Sequence, residues 1–363
     1  MNIVLAGGGT AGHTSPLIAT AQQLSRLAPE SRLLCVGTPR GLETRVIPEA
    51  GLELALIPPV PLPRRLTVDL LKVPGRLWDA VRQATGILRR HRAQVVVGFG
   101  GYVSLPVYLA ARKAKLPIVI HEQNAVPGLA NRIAARFAEH VAVSFPQTAL
   151  PHARYLGLPV REAIAGLDRA SAAVRARAAF GLPEGPPVLL VSGGSQGARS
   201  INTALAGALD ELLAAGVSVL HVLGQANFTD DLVARDHPGG AGYRPLAYVA
   251  AMERAYAAAD LMVGRSGAGT VMETAMVGLP TVFVPLPHGN GEQARNAGFL
   301  VEAEAAVLVA DADLTPGTLA ETVLGLVQDP GRLAAMSGRC RELVPAGAAE
   351  ALARLVLSAG KAA

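Results

Sequence analysis

Little in this chain could form a crosslink, a membrane span or a metal cage. Cysteine occurs twice in 363 residues, as Cys35 and Cys340, far apart and without metal-type spacing. That excludes a disulfide framework and favours a reducing compartment. There is no run of about 18 uninterrupted apolar residues, and the N-terminus lacks the basic start and apolar stretch of a signal peptide. We therefore expect a cytoplasmic chain with no spanning helix. Aromatics are scarce, at 4%, and are not interleaved with basic residues, which disfavours nucleic acid. No Gly-x-x-x-x-Gly-Lys-Ser/Thr loop occurs, which argues against an ATPase of that type.

What is present is apolar sequence in quantity. Half of the residues are hydrophobic and 17% are charged, enough for large cores and, at this length, two domains. The net charge of +5 suits an anionic partner such as a phosphorylated ligand or an acidic membrane surface.

The chain opens on a buried-strand pattern at residues 2–6, followed by Gly7-Gly8-Gly9-Thr10-Ala11-Gly12-His13. Residues 16–27 then read as a helix, with Ser15 as its cap and Pro16 in its first position. A turn of this kind aims unpaired backbone N–H groups and a helix dipole at one spot, which suits a phosphate or another oxygen-rich ligand. His13 adds an ionisable side chain at the mouth of the turn. Short aliphatic runs at 33–36, 54–57, 95–97, 118–120 and 141–143 alternate with helical patterns such as 41–50 and 77–90. The pattern breaks around residues 153–161, a helix starts at 169–179, and the rhythm resumes at 188–192, 217–223, 261–263, 281–284 and 306–309. That alternation predicts an α/β protein of two doubly wound, Rossmann-like halves with a ligand cleft between them and a glycine-rich turn on each wall.

The ligand is harder to read. Gly7-x-Gly9-x-x-Gly12 matches a dinucleotide fingerprint, but Gly37-Thr38-Pro39 follows the second strand where that fingerprint needs an acid. A nicotinamide cofactor is disfavoured. Asp311-Ala-Asp313 has a spacing found in metal-dependent sugar transferases, yet it leads into a helix start at Thr315 and Pro316. In Gly264-Arg265-Ser266-Gly267-Ala268-Gly269-Thr270, a second amide-rich turn precedes Glu273. Glu273 could accept the two hydroxyls of a ribose, or simply meet the helix dipole. Glu292, Gln293 and Asn296 add polar groups beyond the strand at 281–284.

Five motifs together resemble the MurG family of bacterial N-acetylglucosaminyltransferases. They are Gly8-Gly9-Thr10-Ala11-Gly12-His13, residues 98–104, His121-Glu122-Gln123-Asn124 with Pro127-Gly128 and Asn131-Arg132, residues 193–198, and Arg265-Ser266-Gly267-Ala268. The resemblance runs from Asn2 to at least Asn296. It implies a GT-B fold, with residues 1–160 as an acceptor and membrane-facing domain, 161–345 as a UDP-GlcNAc-binding domain, and 346–363 as a helix returning toward the first. The implied reaction moves GlcNAc from UDP-GlcNAc to the C4 hydroxyl of MurNAc in undecaprenyl-pyrophosphoryl-MurNAc-pentapeptide, lipid I to lipid II, with inversion. No cofactor or metal is implied, and the oligomeric state stays open.

Carried over by position, the resemblance assigns donor contacts to Thr10, Ala11, Gly12, Asn124, Arg161, Ser195, Gln196, Val249, Ala268, Gly269, Thr270, Glu273, Glu292 and Gln293. It assigns acceptor contacts to His13, Tyr102 and Asn124. His13 is the candidate general base, its ordinary pKa lying near neutrality; the alternative is a hydrogen bond to phosphate. His121 and Glu122 are expected to order the site rather than react. Ala11 and Leu158 depart from the family, which often has Gly and Asn there.

Between Pro58 and Arg92, Leu70, Leu71, Lys72, Leu77 and Trp78 lie among Arg64, Arg65, Arg76, Arg82, Arg89 and Arg90, with only two acids. This stretch suits the anionic cytoplasmic face of a bacterial inner membrane, although a core helix with a solvated basic face would look similar.

Overall fold

The computed structural model describes residues 1–60, 72–194, 196–288 and 291–361. These residues form two compact units, one of Met1–Arg161 with Gly347–Ala363 and the other of Glu162–Ala346.

The first unit alternates strand and helix. It begins β1 (Asn2–Ala6), α1 (Ala11–Leu27), β2 (Arg32–Gly37), α2 (Glu43–Glu49), β3 (Glu53–Leu56) and α3 (Val73–His91). It continues with β4 (Val95–Gly98), α4 (Ser104–Lys113), β5 (Ile118–Glu122), α5 (Leu129–Ala134), β6 (His140–Val143) and β7 (Ala153–Tyr155). The strands pair in the order β3-β2-β1-β4-β5-β6-β7, all parallel. β7 falls where the sequence pattern breaks; it is three residues long and half exposed, too short to show an apolar period.

Pleating divides each strand between two cores. Ile3, Leu5, Val95 and Val97 face one cluster with Leu17 and Leu24 of α1, whereas Val4, Ala6 and Val96 face another with Ala84 and Leu88 of α3. Burial on both sides explains the continuous apolar runs.

The second unit opens with α6 (Glu162–Ala165) and α7 (Arg169–Ala179), then β8 (Val188–Ser192), α8 (Arg199–Ala214), β9 (Ser218–Val222), β10 (Arg235–Asp236) and β11 (Gly242–Leu246). α9 (Met252–Ala258), β12 (Leu261–Gly264), α10 (Ala268–Met276), β13 (Thr281–Phe283), α11 (Glu292–Glu302) and β14 (Ala306–Leu308) follow. α12 (Pro316–Val327) and α13 (Pro330–Leu343) complete it. Its strand order is β10-β11-β9-β8-β12-β13-β14, parallel except for the β10–β11 pair. Helix starts follow local chemistry: Asp168 caps α7, and Thr315 and Thr318 form a reciprocal capping box ahead of Pro316.

The last helix, α14 (Ala348–Lys361), joins the first unit, where Leu352, Ala353, Val356 and Ala359 enter the core beside α1. Within Pro330–Lys361 an 18-residue window has the mean hydropathy of a membrane span, 1.3. Gly347, with a positive φ of 74°, lies in the break that divides this stretch into two helices of 14 residues. Each is short of the roughly 20 residues a crossing needs.

Candidate active site

In each sheet the chain reverses its direction of winding once, between β1 and β4 in the first unit and between β8 and β12 in the second. Crevices at such switch points, beyond the carboxyl ends of the strands, are where doubly wound sheets bind ligands. The four loops leaving these strands carry the glycine-rich motifs.

The β1 loop differs from the sequence expectation in two ways. First, α1 starts at Ala11 with Thr10 as its extended N-cap, so Ser15 is not the cap and Pro16 lies inside the helix. Proline lacks the N–H that would bond to Gly12, but the turn forms regardless, with the His13 and Thr14 amides donating to the Thr10 carbonyl. Second, the turn is not simply a set of open amides. The Gly9 N–H donates to the Glu43 carboxylate at 2.8 Å, and Glu43 also accepts the Thr38 amide and hydroxyl, each at 2.8 Å. Burial alone would raise the Glu43 pKa, but the Gly9 and Thr38 donors outweigh it and hold the carboxyl below its ordinary value. A fully buried anion thus lies behind the loop.

His13 is half-buried at the first turn of α1. Its Nδ1 lies 3.1 Å from Gln123 Oε1, and Gln123 Nε2 lies 3.1 Å from both the carbonyl and Nδ1 of His121. His121 Nε2 meets the Gly157 carbonyl at 3.1 Å. Complete burial pushes the His121 pKa down to about 4, so it stays neutral at pH 7. On the other side the His13 ring lies along the β4 loop. At Gly101, φ is 79°, and a Cβ there would come within 2.7 Å of the Gly8 carbonyl and 3.4 Å of the ring. Only glycine fits.

Glu122 accepts the Asn124 and Gly128 amides at 3.0 Å and Asn131 Nδ2 at 2.9 Å, while Asn131 Oδ1 accepts the Tyr108 hydroxyl at 2.8 Å. Burial pushes the Glu122 carboxyl up against these donors. The pair His121 and Glu122 is buried and orders the loop that carries Asn124, as the sequence suggested.

In the second unit, Gly197 has φ of 72°, and a Cβ there would overlap the Leu223 carbonyl at 2.0 Å, so the β8 loop closes tightly before α8. The β12 loop holds Ser266, fully buried, whose Oγ has no hydrogen-bond partner among the described residues. Gly267 caps α10, and Asn296 Nδ2 of α11 donates to the Ser266 carbonyl at 3.3 Å. The Tyr256 hydroxyl of α9 donates to Glu273 at 2.8 Å. Gln293 Oε1 accepts the Leu286 amide at 3.0 Å. Asp311 is ion-paired with Arg265 and accepts the Ser200 hydroxyl at 2.6 Å, which makes it an anchor for the β12 loop.

The structure therefore gathers the sequence-derived residues unit by unit. Thr10, Ala11, Gly12 and His13 follow β1, Tyr102 follows β4 and is 53% exposed, and Asn124 follows β5, on three adjacent strands. Arg161 ends the unit and is exposed. In the second unit Gln196 follows β8, Val249 follows β11, Ala268, Gly269, Thr270 and Glu273 lie on α10, and Glu292 and Gln293 open α11. Ser195, Arg64, Arg65, Leu70 and Leu71 lie outside the described residues. Lys72, Leu77 and Trp78 lie at and within the first turns of α3; Trp78 is 69% exposed with the Arg82 guanidinium over its ring. Leu158 is buried, so it offers no polar contact. Glu43, Gln123 and Tyr256 were not given roles from sequence, because their partners Gly9, His13 and Glu273 lie 34, 110 and 17 residues away.

Residues 3–143 match the glycosyltransferase family 28 N-terminal domain, and residues 188–351 match its C-terminal domain. Similar proteins include the UDP-N-acetylglucosamine–N-acetylmuramyl-(pentapeptide) pyrophosphoryl-undecaprenol N-acetylglucosamine transferase of Cutibacterium acnes, 60% identical over 99% of this chain and 97% of that protein. The protein of the same name from Nocardioides sp. is 56% identical over 99% of this chain and 98% of its own. Among solved structures, Acinetobacter baumannii MurG superposes with a TM-score of 0.78 at 28% identity, covering 98% of this chain and 99% of its own. A calicheamicin glycosyltransferase, with a TM-score of 0.71 at 16% identity over 99% of this chain and 98% of its own, shares the fold. The fold is that of the GT-B glycosyltransferases.

Proposed function

This chain belongs to glycosyltransferase family 28, and on that premise we infer that it moves N-acetylglucosamine from UDP-N-acetylglucosamine to the C4 hydroxyl of MurNAc in undecaprenyl-pyrophosphoryl-MurNAc-pentapeptide, lipid I to lipid II, in peptidoglycan synthesis. The observation that carries the site assignment is a placement: the donor positions described in the second unit all follow the carboxyl ends of β8, β11, β12 and β13.

In this reading Gln196 and the α8 start, with Ala268, Gly269 and Thr270 at the α10 start, surround the diphosphate. Backbone amides and two helix dipoles there stabilise the charge that grows as UDP departs. Glu273, held by Tyr256, accepts the ribose hydroxyls, Val249 meets the uracil through its backbone, and Glu292 and Gln293 meet the sugar. In the first unit Thr10, Ala11, Gly12, Asn124 and Arg161 complete the donor contacts, and Tyr102 and Asn124 hold the acceptor. His13 takes the proton of the attacking hydroxyl. Attack from the face opposite UDP inverts the anomeric centre and gives a β-linked disaccharide. α3 rests on the anionic cytoplasmic face of the inner membrane, where the lipid acceptor is anchored.

Incubating purified protein with UDP-GlcNAc and a short-chain lipid I analogue, without added metal, tests this. UDP release that depends on the acceptor, together with the new disaccharide, is expected. UDP release that ignores the acceptor would instead favour an epimerase of the same fold.

A further inference from the structure

We propose that Gln123 is a positioning residue that fixes the His13 ring as its Nδ1–H tautomer, leaving Nε2 as the atom that receives the proton. The inference rests on His13 acting as base in the reading above, and it follows from a chain of obligatory donors and acceptors.

His121 starts the chain. Its Nε2 faces the Gly157 carbonyl, which can only accept, so Nε2 carries the hydrogen and Nδ1 carries a lone pair. Gln123 therefore faces two acceptors at 3.1 Å, His121 Nδ1 and the His121 carbonyl, and must turn its NH2 group toward both. The flipped amide would place its oxygen against two lone pairs. With the amide so oriented, Oε1 is what meets His13 Nδ1 at 3.1 Å, and an amide oxygen can only accept. His13 Nδ1 is thus the donor.

The consequence is chemical. Neutral imidazole with hydrogen on Nδ1 has its lone pair on Nε2, away from Gln123. Taking a proton there keeps the Gln123 bond, so the network accommodates both charge states of the ring. The opposite tautomer would aim the lone pair at Gln123 and leave no base facing the acceptor. The same order appears in Ser-His-Asp triads, where a partner on one ring nitrogen selects the other for catalysis. Here the partner is a neutral amide backed by a buried, neutral histidine. Among the described residues, the ionisable groups linked to the His13 ring are Glu122, through its charge, and His121, through Gln123, both on β5.

Nitrogen NMR on the full chain labelled with 15N-histidine tests the assignment, with His13 identified by its loss in His13→Asn. At alkaline pH the wild-type ring is expected to show a protonated Nδ1 and a bare Nε2. In Gln123→Leu it should shift toward the Nε2–H form, with kcat for transfer falling roughly 10–100-fold and donor KM holding within about twofold. Gln123→Glu keeps an acceptor opposite His13 Nδ1 and, protonated on the oxygen that faces His121, should restore the Nδ1–H pattern. An Nε2–H ring in the wild type, or an unchanged tautomer in Gln123→Leu, overturns the proposal. If the tautomer behaves as stated but His13→Ala retains its rate, the base reading falls and the locking of the ring by Gln123 stands.

Discussion

The Glu43 carboxylate holds the Gly9 amide hydrogen at 2.8 Å, so α2 fastens the β1 loop from behind with a buried negative charge. In Glu43→Gln one amide hydrogen of the new side chain must face a backbone donor, and a buried N–H loses its partner. We expect a loss of about 1–3 kcal/mol, read as a lower urea midpoint with unchanged slope. The folded state holds this carboxyl below its ordinary value of 4.5, so its stabilisation is complete above that pH and fades as pH falls below it. Glu43→Gln should lose that acid dependence. An unchanged midpoint would show that the bonds contribute nothing.

His13→Ala is expected to lower kcat far more than it raises donor KM, because a base acts on the acceptor hydroxyl and not on UDP-GlcNAc. Steady-state kinetics with each substrate varied in turn separates the two. A defect confined to donor binding refutes the base role.

Tyr256→Phe removes the hydroxyl that holds Glu273. A hydrogen bond to a charged group is worth about 1.5–3 kcal/mol, part of which Glu273 recovers by bonding to water or to the ligand. Calorimetric titration with UDP-GlcNAc should give a Kd raised roughly 3- to 10-fold. No change in Kd would indicate that Glu273 keeps its position unaided.

Two buried histidines set an acid limit on stability. Burial pushes His121 and His221 down to about 4 from an ordinary 6.5. Between these values the unfolded chain binds a proton that the folded chain refuses. Stability is therefore full above pH 6.5 and declines as pH falls toward 4, by up to roughly 3 kcal/mol for each group. His221 lies between Asn202 and the Tyr243 hydroxyl, each at 3.1 Å. His221→Gln should lower stability at pH 7 but flatten the decline, which urea unfolding across this range would reveal.

Trp78 stands 69% exposed on α3 with the Arg82 guanidinium over its ring. Trp78→Glu is expected to reduce sedimentation with anionic vesicles and to leave binding of water-soluble UDP-GlcNAc intact. Wild-type vesicle binding in that variant would count against α3 as the contact.

The central strands of both sheets were legible because they are buried on two faces, so runs such as residues 95–97 and 188–192 are continuously apolar, whereas β7, β10 and β11 carry no such run. The start of α1 was not, because Ser15-Pro16 carries every local mark of a helix N-terminus, and only tertiary packing extends the helix back to Ala11. In the same way, Glu273 and His13 could be singled out as ionisable groups beside glycine turns, whereas Glu43 looks like any acid opening a helix. Its role depends on Gly9 and Thr38, brought to it by the pairing of β1 with β2. Gln123 lay within a recognisable motif, but its task emerged only once the His121 carbonyl and ring were seen to compel the orientation of its amide.

The helix Ala348–Lys361 leaves the ribosome only after the whole of Glu162–Ala346, yet it supplies four core residues to the unit begun before that segment. During translation the part of that unit's sheet face beside α1 must wait, uncovered, while the whole of the intervening unit is made. A nascent chain released early would therefore carry a sticky flank of Leu17, Val95 and Val97, a natural target for chaperones and proteases. The two units cannot be parted by a single cut without leaving one of them incomplete.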